Sequence, residues 1–289
     1  MLKGDRAFTI RKITGLNRGA VALLAALAWM GAGGCDVVSI FGASEATYEV
    51  ATGRTDQAVK PFTELRHNDC ADADKGFTDV IVGDPKDPRA YVGRAEARLC
   101  LGKYDEAIAD YTTAIQMDPK WFDYFGRAMA YRAIGQPDAA VSDFDQAIAL
   151  NGKVPAPYVY RGVVLKSMGK SAAAEDDLTK AIALVDGHPF KLNLYAWMLA
   201  TDSIAPYRDG SIAVQFATKA CDETLWKSSP ILDTLAAAYA ENGQFDAAVK
   251  WQKTAIEDVP SKLRSDYEKR LAMYEQKQPF RDSARPNFF

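Results

Sequence analysis

The sequence predicts an all-α fold built from stacked helical hairpins, and three observations lead to that prediction. The stretch that begins at Tyr91 recurs at Tyr124 and again at Tyr158, so the repeat length is 33 and then 34 residues. Apolar residues within each copy are spaced three and four apart, which is the period of an amphipathic helix. A glycine near the middle of each copy divides it into two helices. One hairpin cannot bury its own apolar face, whereas stacked neighbours share a continuous core.

The first 35 residues differ from the rest of the 289-residue chain. Five basic residues precede the apolar run "AVALLAALAWM" at 20–30, and the run is followed by "GAGGC", which ends at Cys35. This order of charged, apolar and small residues is typical of a secretory leader, and the apolar run is too short to span a bilayer as a helix. We therefore expect residues 1–35 to direct export.

The small residues directly before Cys35 resemble a bacterial lipoprotein signal, in which the leader is removed and the cysteine is acylated. The resemblance implies a lipid anchor at Cys35 on the periplasmic side of the envelope, and several acyl chains would make that attachment stable. Asp36 resembles the inner-membrane retention signal of some bacteria. The alternatives are a plain secretory leader with an incidental cysteine, and an uncleaved anchor.

The chain that follows the leader is acidic. It has 30 basic and 37 acidic residues, a net charge of about −7. Nucleic acid is therefore not an expected partner, because phosphate binding needs clustered positive charge. Residues 36–53 are expected to form a short tether. Residues 54–87 are expected to form a degenerate helical unit, with its first helix near 54–66 and its second helix around Phe77.

Three clear units follow, at about 88–121, 122–154 and 155–187. Each unit places small residues where two helix backbones approach closely, and an aromatic residue or leucine beside them. The equivalent positions are Tyr91, Arg94, Ala95, Gly102, Ala107, Tyr111 and Ala114 in the first unit, Tyr124, Arg127, Ala128, Gly135, Ala140, Phe144 and Ala147 in the second, and Tyr158, Arg161, Gly162, Gly169, Ala174, Leu178 and Ala181 in the third.

This pattern resembles the tetratricopeptide repeat, which pairs an aromatic with a small residue in its first helix and an alanine, an aromatic and a proline in its second. Pro119 and Pro260 lie at the position of the closing proline, whereas the second and third units carry Gly152 and Asp186 there. The resemblance implies a right-handed solenoid over residues 88–260, whose first helices line a concave groove.

Two further units are expected at about 188–226 and 229–260. The first of them has a longer loop, Asp202 to Asp209, between its two helices. Residues 261–277 are expected to form an amphipathic helix that caps the array, because a terminal repeat must present a polar face to solvent. Residues 278–289 are expected to form a loose tail.

The sequence offers few residues for catalysis. Its two histidines, His67 and His188, have no spacing with Cys, Asp or Glu that indicates a metal site or an activated nucleophile. We expect both to be ordinary surface or capping residues. The sequence has neither a GxxxxGK[ST] phosphate loop nor a G-x-S-x-G elbow. We therefore expect no catalytic residue, no metal ion and no cofactor.

An arginine and an aspartate lie sixteen residues apart in each clear unit. Two interpretations fit: an ion pair that ties the two helices together, and a row of arginines that collects an acidic ligand. We favour the ion pair, because the acid recurs wherever the arginine does. An exposed pair of this kind contributes about 0–1 kcal/mol. The pairs are Arg94 with Asp110, Arg127 with Asp143, and Arg161 with Asp177.

A second stripe on the first helices carries more aromatic and methionine side chains than hairpin closure needs. The resemblance places this stripe on the wall of the concave groove. Apolar anchors beside long cationic side chains suit an extended or helical peptide with an acidic group. The alternative is that a neighbouring unit or a terminal segment covers the stripe. The predicted groove wall consists of Phe122, Phe125, Met129, Arg132, Tyr160, Val163 and Lys166.

Two cysteines are expected at helix ends on the same side of adjacent hairpins. They are Cys70, at the start of the second helix of the degenerate unit, and Cys100, at the end of the next helix. Two states are compatible with this placement: a disulfide that staples the degenerate unit, and a pair of buried, small apolar residues.

These observations predict a non-enzymatic scaffold or adaptor of the bacterial cell envelope that is exported and attached to the membrane. It would bind peptide segments of partner proteins in the groove. Two other classes remain open. A pilot lipoprotein would carry one partner subunit to the membrane, and an envelope enzyme would have a site dispersed along the sequence.

Overall fold

The computed structural model describes residue 65, residues 69–202 and residues 204–282. These residues form twelve α-helices and one short 3-10 turn, with no β-strand among them, which confirms the all-α prediction. No helix in this part of the chain is long and apolar enough to cross a membrane. The predictions that lie outside the described residues concern the leader 1–35, Cys35, Asp36, the tether 36–53, the helix near 54–66 apart from Leu65, His67, and residues 283–289 of the tail.

The helices alternate as first and second members of hairpins. The second helix of the degenerate unit is α1 (Cys70–Gly83). The five hairpins that follow are α2 (Pro88–Cys100) with α3 (Tyr104–Met117), α4 (Trp121–Ala133) with α5 (Pro137–Leu150), α6 (Pro155–Ser167) with α7 (Ser171–Leu184), α8 (Pro189–Thr201) with α9 (Gly210–Glu223), and α10 (Ser229–Glu241) with α11 (Phe245–Glu257). The helix α12 (Ser261–Glu275) closes the array.

Glycine makes the tight turn inside the regular hairpins. Gly102, between α2 and α3, has a φ of 72°, a conformation that is strained for a residue with a Cβ atom. The amide of the next residue, Lys103, donates a hydrogen bond of 2.8 Å to the carbonyl of Arg98. This bond satisfies a carbonyl at the end of α2 and reverses the chain.

Glycines on the first helices let neighbouring hairpins approach. A Cβ atom at Gly126 in α4 would overlap the ring of Tyr111, which lies on the second helix of the preceding hairpin. A Cβ atom at Gly93 in α2 would overlap the ring of Phe77 in α1 in the same way. Both rings are fully buried. These two glycines therefore mark contacts between successive hairpins, and one hydrophobic core runs from α2 to α12.

The degenerate unit has its own small cluster and a covalent link to the array. Leu65, Cys70 and Phe77 pack together with Ala97 of α2. A disulfide joins Cys70 to Cys100, with their Cα atoms 6.1 Å apart. A disulfide that closes a loop of this size typically stabilises a protein by about 2–4 kcal/mol.

The regular stacking changes at the junction between the third and fourth hairpins. The backbones of α7 and α8 do not come as close as those of the other consecutive helices, whereas the first helices α8 and α10 pack closely. At this junction the 3-10 turn Ala205–Tyr207 packs against α6. We call residues 202–209 the plug loop; residue 203 within it is not described.

The residues after α12 fold back onto α8. The indole Nε1 of Trp197 donates to the carboxylate of Asp282 at 3.1 Å, and the amide of Asp282 donates to the carbonyl of Thr201 at 3.2 Å. The ring centroids of Trp197 and Phe280 are 5.6 Å apart. The prediction of a loose tail is therefore wrong for residues 278–282, because Phe280 and Asp282 find partners on α8.

Candidate functional site

The predicted groove wall lies on two first helices, α4 and α6, but most of it is not accessible. Phe122 is half-buried and Lys166 is exposed. The other five residues are 0–6% exposed, and they are Phe125, Met129, Arg132, Tyr160 and Val163. The prediction of an open wall is therefore wrong for these five residues, which the protein's own chain covers.

Aromatic packing between hairpins buries the apolar half of the wall. The ring of Phe125 in α4 lies 5.4 Å from that of Tyr160 in α6 and 5.8 Å from that of Phe144 in α5. Phe144 and Tyr160 are nearly parallel, with centroids 6.3 Å apart. Aromatic pairs at such distances contribute about 0.5–1.5 kcal/mol beyond the area that they bury. Phe125 and Tyr160 thus belong to the core that joins the second and third hairpins.

The plug loop covers the cationic half of the wall. Arg132 forms an ion pair with Asp202, and Lys166 forms one with Asp209. The guanidinium of Arg132 lies 4.2 Å from the ring centroid of Tyr207, and the Tyr207 hydroxyl donates to the carbonyl of Arg132 at 3.3 Å. Burial raises the pKa of Tyr207 above its ordinary value, although the charge of Arg132 opposes the shift. The loop therefore presents two acids and one aromatic ring to the wall.

The plug loop also makes hydrogen bonds away from the wall, with α9 and α10. The Asp209 carboxylate accepts a hydrogen bond of 3.1 Å from the amide of Ile212 and so caps the N-terminus of α9. Arg208 donates to Glu241 at 3.0 Å and to the carbonyl of Asp202 at 2.7 Å. The described residues of the loop are therefore fixed by contacts on both sides, and these contacts hold its acids against the wall.

The three arginine and aspartate pairs are present in the structure, each with two hydrogen bonds of 2.6–2.9 Å. Their aspartates, Asp110, Asp143 and Asp177, are only 4–5% exposed. The pairs are thus largely buried, so removing one partner should cost more than it does for an exposed pair, because it leaves a buried charge without its counter-charge. Hydrogen bonds to Asp177 and Asp145 raise the pKa of Arg161. The arginines therefore hold acids of their own chain.

An acidic residue that the sequence analysis missed lies on the first hairpin. Glu96 in α2 occupies the position of Met129 in α4 and Val163 in α6, one and two repeats later. It is 6% exposed. The sequence contained a signal for this burial, because the repeat register places Glu96 at a position that is apolar in the next two units.

Two other buried polar groups, Asp123 and Tyr111, lie close enough to Glu96 to interact with it electrostatically. Burial, reinforced by the charge of Asp123, raises the pKa of Glu96 to about 8. Burial also raises the pKa of Asp123 to about 7, although the amide of Lys120 donates to its carboxylate at 3.0 Å. The Tyr111 hydroxyl has no hydrogen-bond partner within the part of the chain that is described. The surroundings of Glu96 therefore favour its protonated form.

The described residues contain no cluster of three or more His, Cys, Asp or Glu side chains that could hold a metal ion. His188 is exposed and occupies the N-cap position of α8. The helices α4 and α6 instead form a surface that binds two carboxylates and one aromatic ring of the plug loop.

Three segments of the chain match family models described as tetratricopeptide repeat. They are residues 88–120, 124–153 and 231–258. They coincide with the first, second and fifth hairpins. Comparison with curated protein sequences gives no match.

Several solved structures are similar to this chain. The crystal structure of the APC/C hetero-tetramer Cut9-Hcn1 has a TM-score of 0.52 at 18% identity, over 80% of this chain and 45% of that chain. PilW, described as a widely conserved type IV pilus biogenesis factor, has a TM-score of 0.52 at 18% identity, over 73% of this chain and 96% of that chain. A thermophilic TPR protein in Thermus thermophilus has a TM-score of 0.48 at 20% identity, over 76% of this chain and 97% of that chain. At such identities the likeness to the first two concerns the fold alone.

Proposed function

We propose that this chain, which carries tetratricopeptide repeats, is a non-enzymatic scaffold of the bacterial cell envelope that binds peptide segments of partner proteins. Arrays of such repeats commonly use an extended concave surface for binding. The observation that carries the proposal is the wall on α4 and α6, where Arg132 and Lys166 each hold a carboxylate. A surface that already binds acidic side chains of its own chain has the chemistry to bind those of a partner.

The envelope setting is supported by the sequence of the leader. The leader directs export, and Cys35 is the proposed site of a lipid anchor on the periplasmic side. A short tether would keep the array close to the membrane, where confinement raises the effective concentration of partners attached to the same membrane.

Partner capture tests the binding proposal. We would crosslink membranes and purify the wild type and Lys166→Glu, which reverses an exposed charge on the wall without removing a core side chain. We expect Lys166→Glu to capture markedly less of the groove-bound partners, because it repels an acidic segment. Lys269→Glu is the matched control, because Lys269 is exposed on α12, outside α4 and α6. If Lys166→Glu retains every partner with its helix content intact, the groove is not the binding site.

The composition of the captured material also separates two roles. A single stoichiometric partner would indicate a pilot lipoprotein, whereas several partners would indicate a scaffold. Metabolic labelling with a fatty acid tests the anchor separately. We expect label in the wild type and none in Cys35→Ser, and an unlabelled wild type would remove the anchor from the proposal.

A further inference from the structure

We propose that the plug loop occupies the site of a partner segment, and that its side chains define the chemistry of that segment. The partner would carry an aromatic residue with acidic residues on both sides, and it would compete with residues 202–209 for the wall. This inference rests on the proposed function and names the class of partner.

The length of the plug loop is the first argument. The other four hairpins join their two helices with three residues each, for example 101–103 and 134–136, whereas α8 and α9 are joined by eight. Three residues suffice to close a hairpin of this type. The additional chain is therefore not needed for the turn, and it lies against α6, on the first helix of another hairpin.

The match of charges is the second argument. The loop contains two acids, Asp202 and Asp209, and each pairs with a different cation of the wall. Arg132 in α4 and Lys166 in α6 belong to neighbouring hairpins. An acidic segment that runs across both first helices can satisfy both cations at once.

The aromatic anchor is the third argument. Tyr207 is 6% exposed, with its ring 4.2 Å from the Arg132 guanidinium and its hydroxyl on the Arg132 carbonyl. The guanidinium also lies 5.5 Å from the ring centroid of Tyr160. A buried aromatic that contacts an arginine is the type of contact that dominates peptide and protein interfaces. The loop therefore uses the wall as a bound peptide would.

Competition with a tethered loop lowers the apparent affinity of a partner. The loop is held at the wall by the fold, so a partner binds only the fraction of molecules in which the wall is free. A free peptide should consequently bind the wild type weakly, and a variant with a weakened loop should bind it more tightly.

Peptide binding to a loop-release variant tests the proposal. The probe is a fluorescent peptide with the sequence of residues 200–211, ATDSIAPYRDGS. The protein is the full-length chain in detergent, as wild type and as Asp202→Asn with Tyr207→Ala, which keeps Arg132, Lys166 and the cap at Asp209. We expect the release variant to bind the peptide about ten-fold more tightly than the wild type, or better. Equal affinities for two folded proteins would overturn the proposal, and so would the absence of binding to both.

Two controls locate the peptide. A peptide with both aspartates changed to asparagine and the tyrosine changed to alanine should not bind. Lys166→Glu in the release background should abolish binding of the original peptide. If the changed peptide binds the release variant as tightly as the original peptide does, the contacts of the plug loop do not define the site. The same conclusion follows if Lys166→Glu does not weaken binding of the original peptide.

A second measurement covers the case in which the release variant does not fold. In the wild type, excess peptide should increase hydrogen exchange at the amides of residues 207–209 by about three-fold or more, because it displaces them from the wall. Unchanged exchange with saturating peptide would overturn the proposal. The same peptide separates this proposal from the proposed function. If the wild type captures envelope partners and the peptide does not displace them, the chain is still a scaffold, but the plug loop does not occupy the partner site.

Discussion

The first three hairpins and the last two carry different residues at the same positions of their two helices. In the first three, an arginine of the first helix binds an aspartate of the second helix. In the fourth hairpin the equivalent residues are Tyr195 and Phe216, whose ring centroids are 6.1 Å apart. In the fifth they are Leu235 and Trp251. An ion pair in the first three hairpins and an aromatic pair in the fourth therefore occupy the same position of the repeat.

The last two hairpins also differ from the first three in that a single buried acid receives several polar contacts. In the last hairpins one buried acid, Asp233, accepts two hydrogen bonds from Arg270 of α12 at 2.8 and 2.9 Å and one from Gln252 at 2.7 Å. Arg270 lies 5.5–5.6 Å from the ring centroids of Trp197 and Phe280. Burial raises the pKa of Asp233, although Arg270 opposes the shift. At this end one arginine, Arg270, is the counter-charge of a buried acid between α10 and α12, whereas the regular end repeats one ion pair in each hairpin.

The largest expected effect comes from removing that arginine. Arg270→Met should lower the free energy of unfolding by about 3–5 kcal/mol, because it leaves the Asp233 carboxylate buried without a counter-charge. Arg94→Met in the regular region should cost only about 1–2 kcal/mol, since Asp110 keeps a 2.7 Å bond to Arg98. Urea unfolding at pH 7 measures both changes.

A double variant separates the charge from the packing. Asp233→Asn with Arg270→Met should recover most of the stability that Arg270→Met loses, because no buried charge remains. Equal losses for Arg270→Met and Arg94→Met would contradict the difference between the two regions.

The next effect distinguishes the first hairpin from its two regular neighbours. The pKa of Glu96 rises from an ordinary value of 4.5 to about 8, so between these values the folded protein holds a proton that the unfolded chain has lost. Stability should therefore fall as the pH rises through this window, by about 2 kcal/mol more in the wild type than in Glu96→Gln between pH 6 and pH 8. Thermal and urea unfolding across this range measure it. Parallel pH profiles would show that Glu96 does not titrate in the window.

The smallest expected effect compares one helix cap in each region. Asp87 accepts from the amide of Arg89 at 3.1 Å at the start of α2, and Asp209 accepts from Ile212 at the start of α9. Each aspartate to alanine change should cost about 1 kcal/mol. Asp209→Ala should cost more, because the ion pair of Asp209 with Lys166 ties the plug loop to α6, whereas Asp87 pairs with Arg89 of the helix that it caps. Urea unfolding compares the two variants, and an equal cost would mean that the plug loop adds nothing to stability at the wall.

Much of the fold could be predicted because its determinants are local. The recurrence of small residues such as Ala95 and Ala128, and of glycine at each tight turn, reflects packing within a hairpin or between successive hairpins. The seven wall residues were correctly assigned to adjacent first helices for the same reason.

The covering of the wall could not be predicted because it depends on residues distant in sequence. Asp202 meets Arg132 across 70 positions, and Asp282 meets Trp197 across 85. No periodicity relates these pairs. The burial of the arginine and aspartate pairs escaped prediction similarly, since the spacing of two residues does not reveal how closely the next hairpin covers them.

The disulfide between Cys70 and Cys100 makes the N-terminal end of the array sensitive to redox conditions, unlike its C-terminal end. It persists in an oxidising compartment and is lost under reducing conditions, so the attachment of α1 responds to the redox state of the surroundings. The other cysteine of the described chain, Cys221, is buried, and burial raises its pKa to about 12, so it stays an unreactive thiol. A reductant would therefore loosen the degenerate unit and leave the last hairpins unchanged.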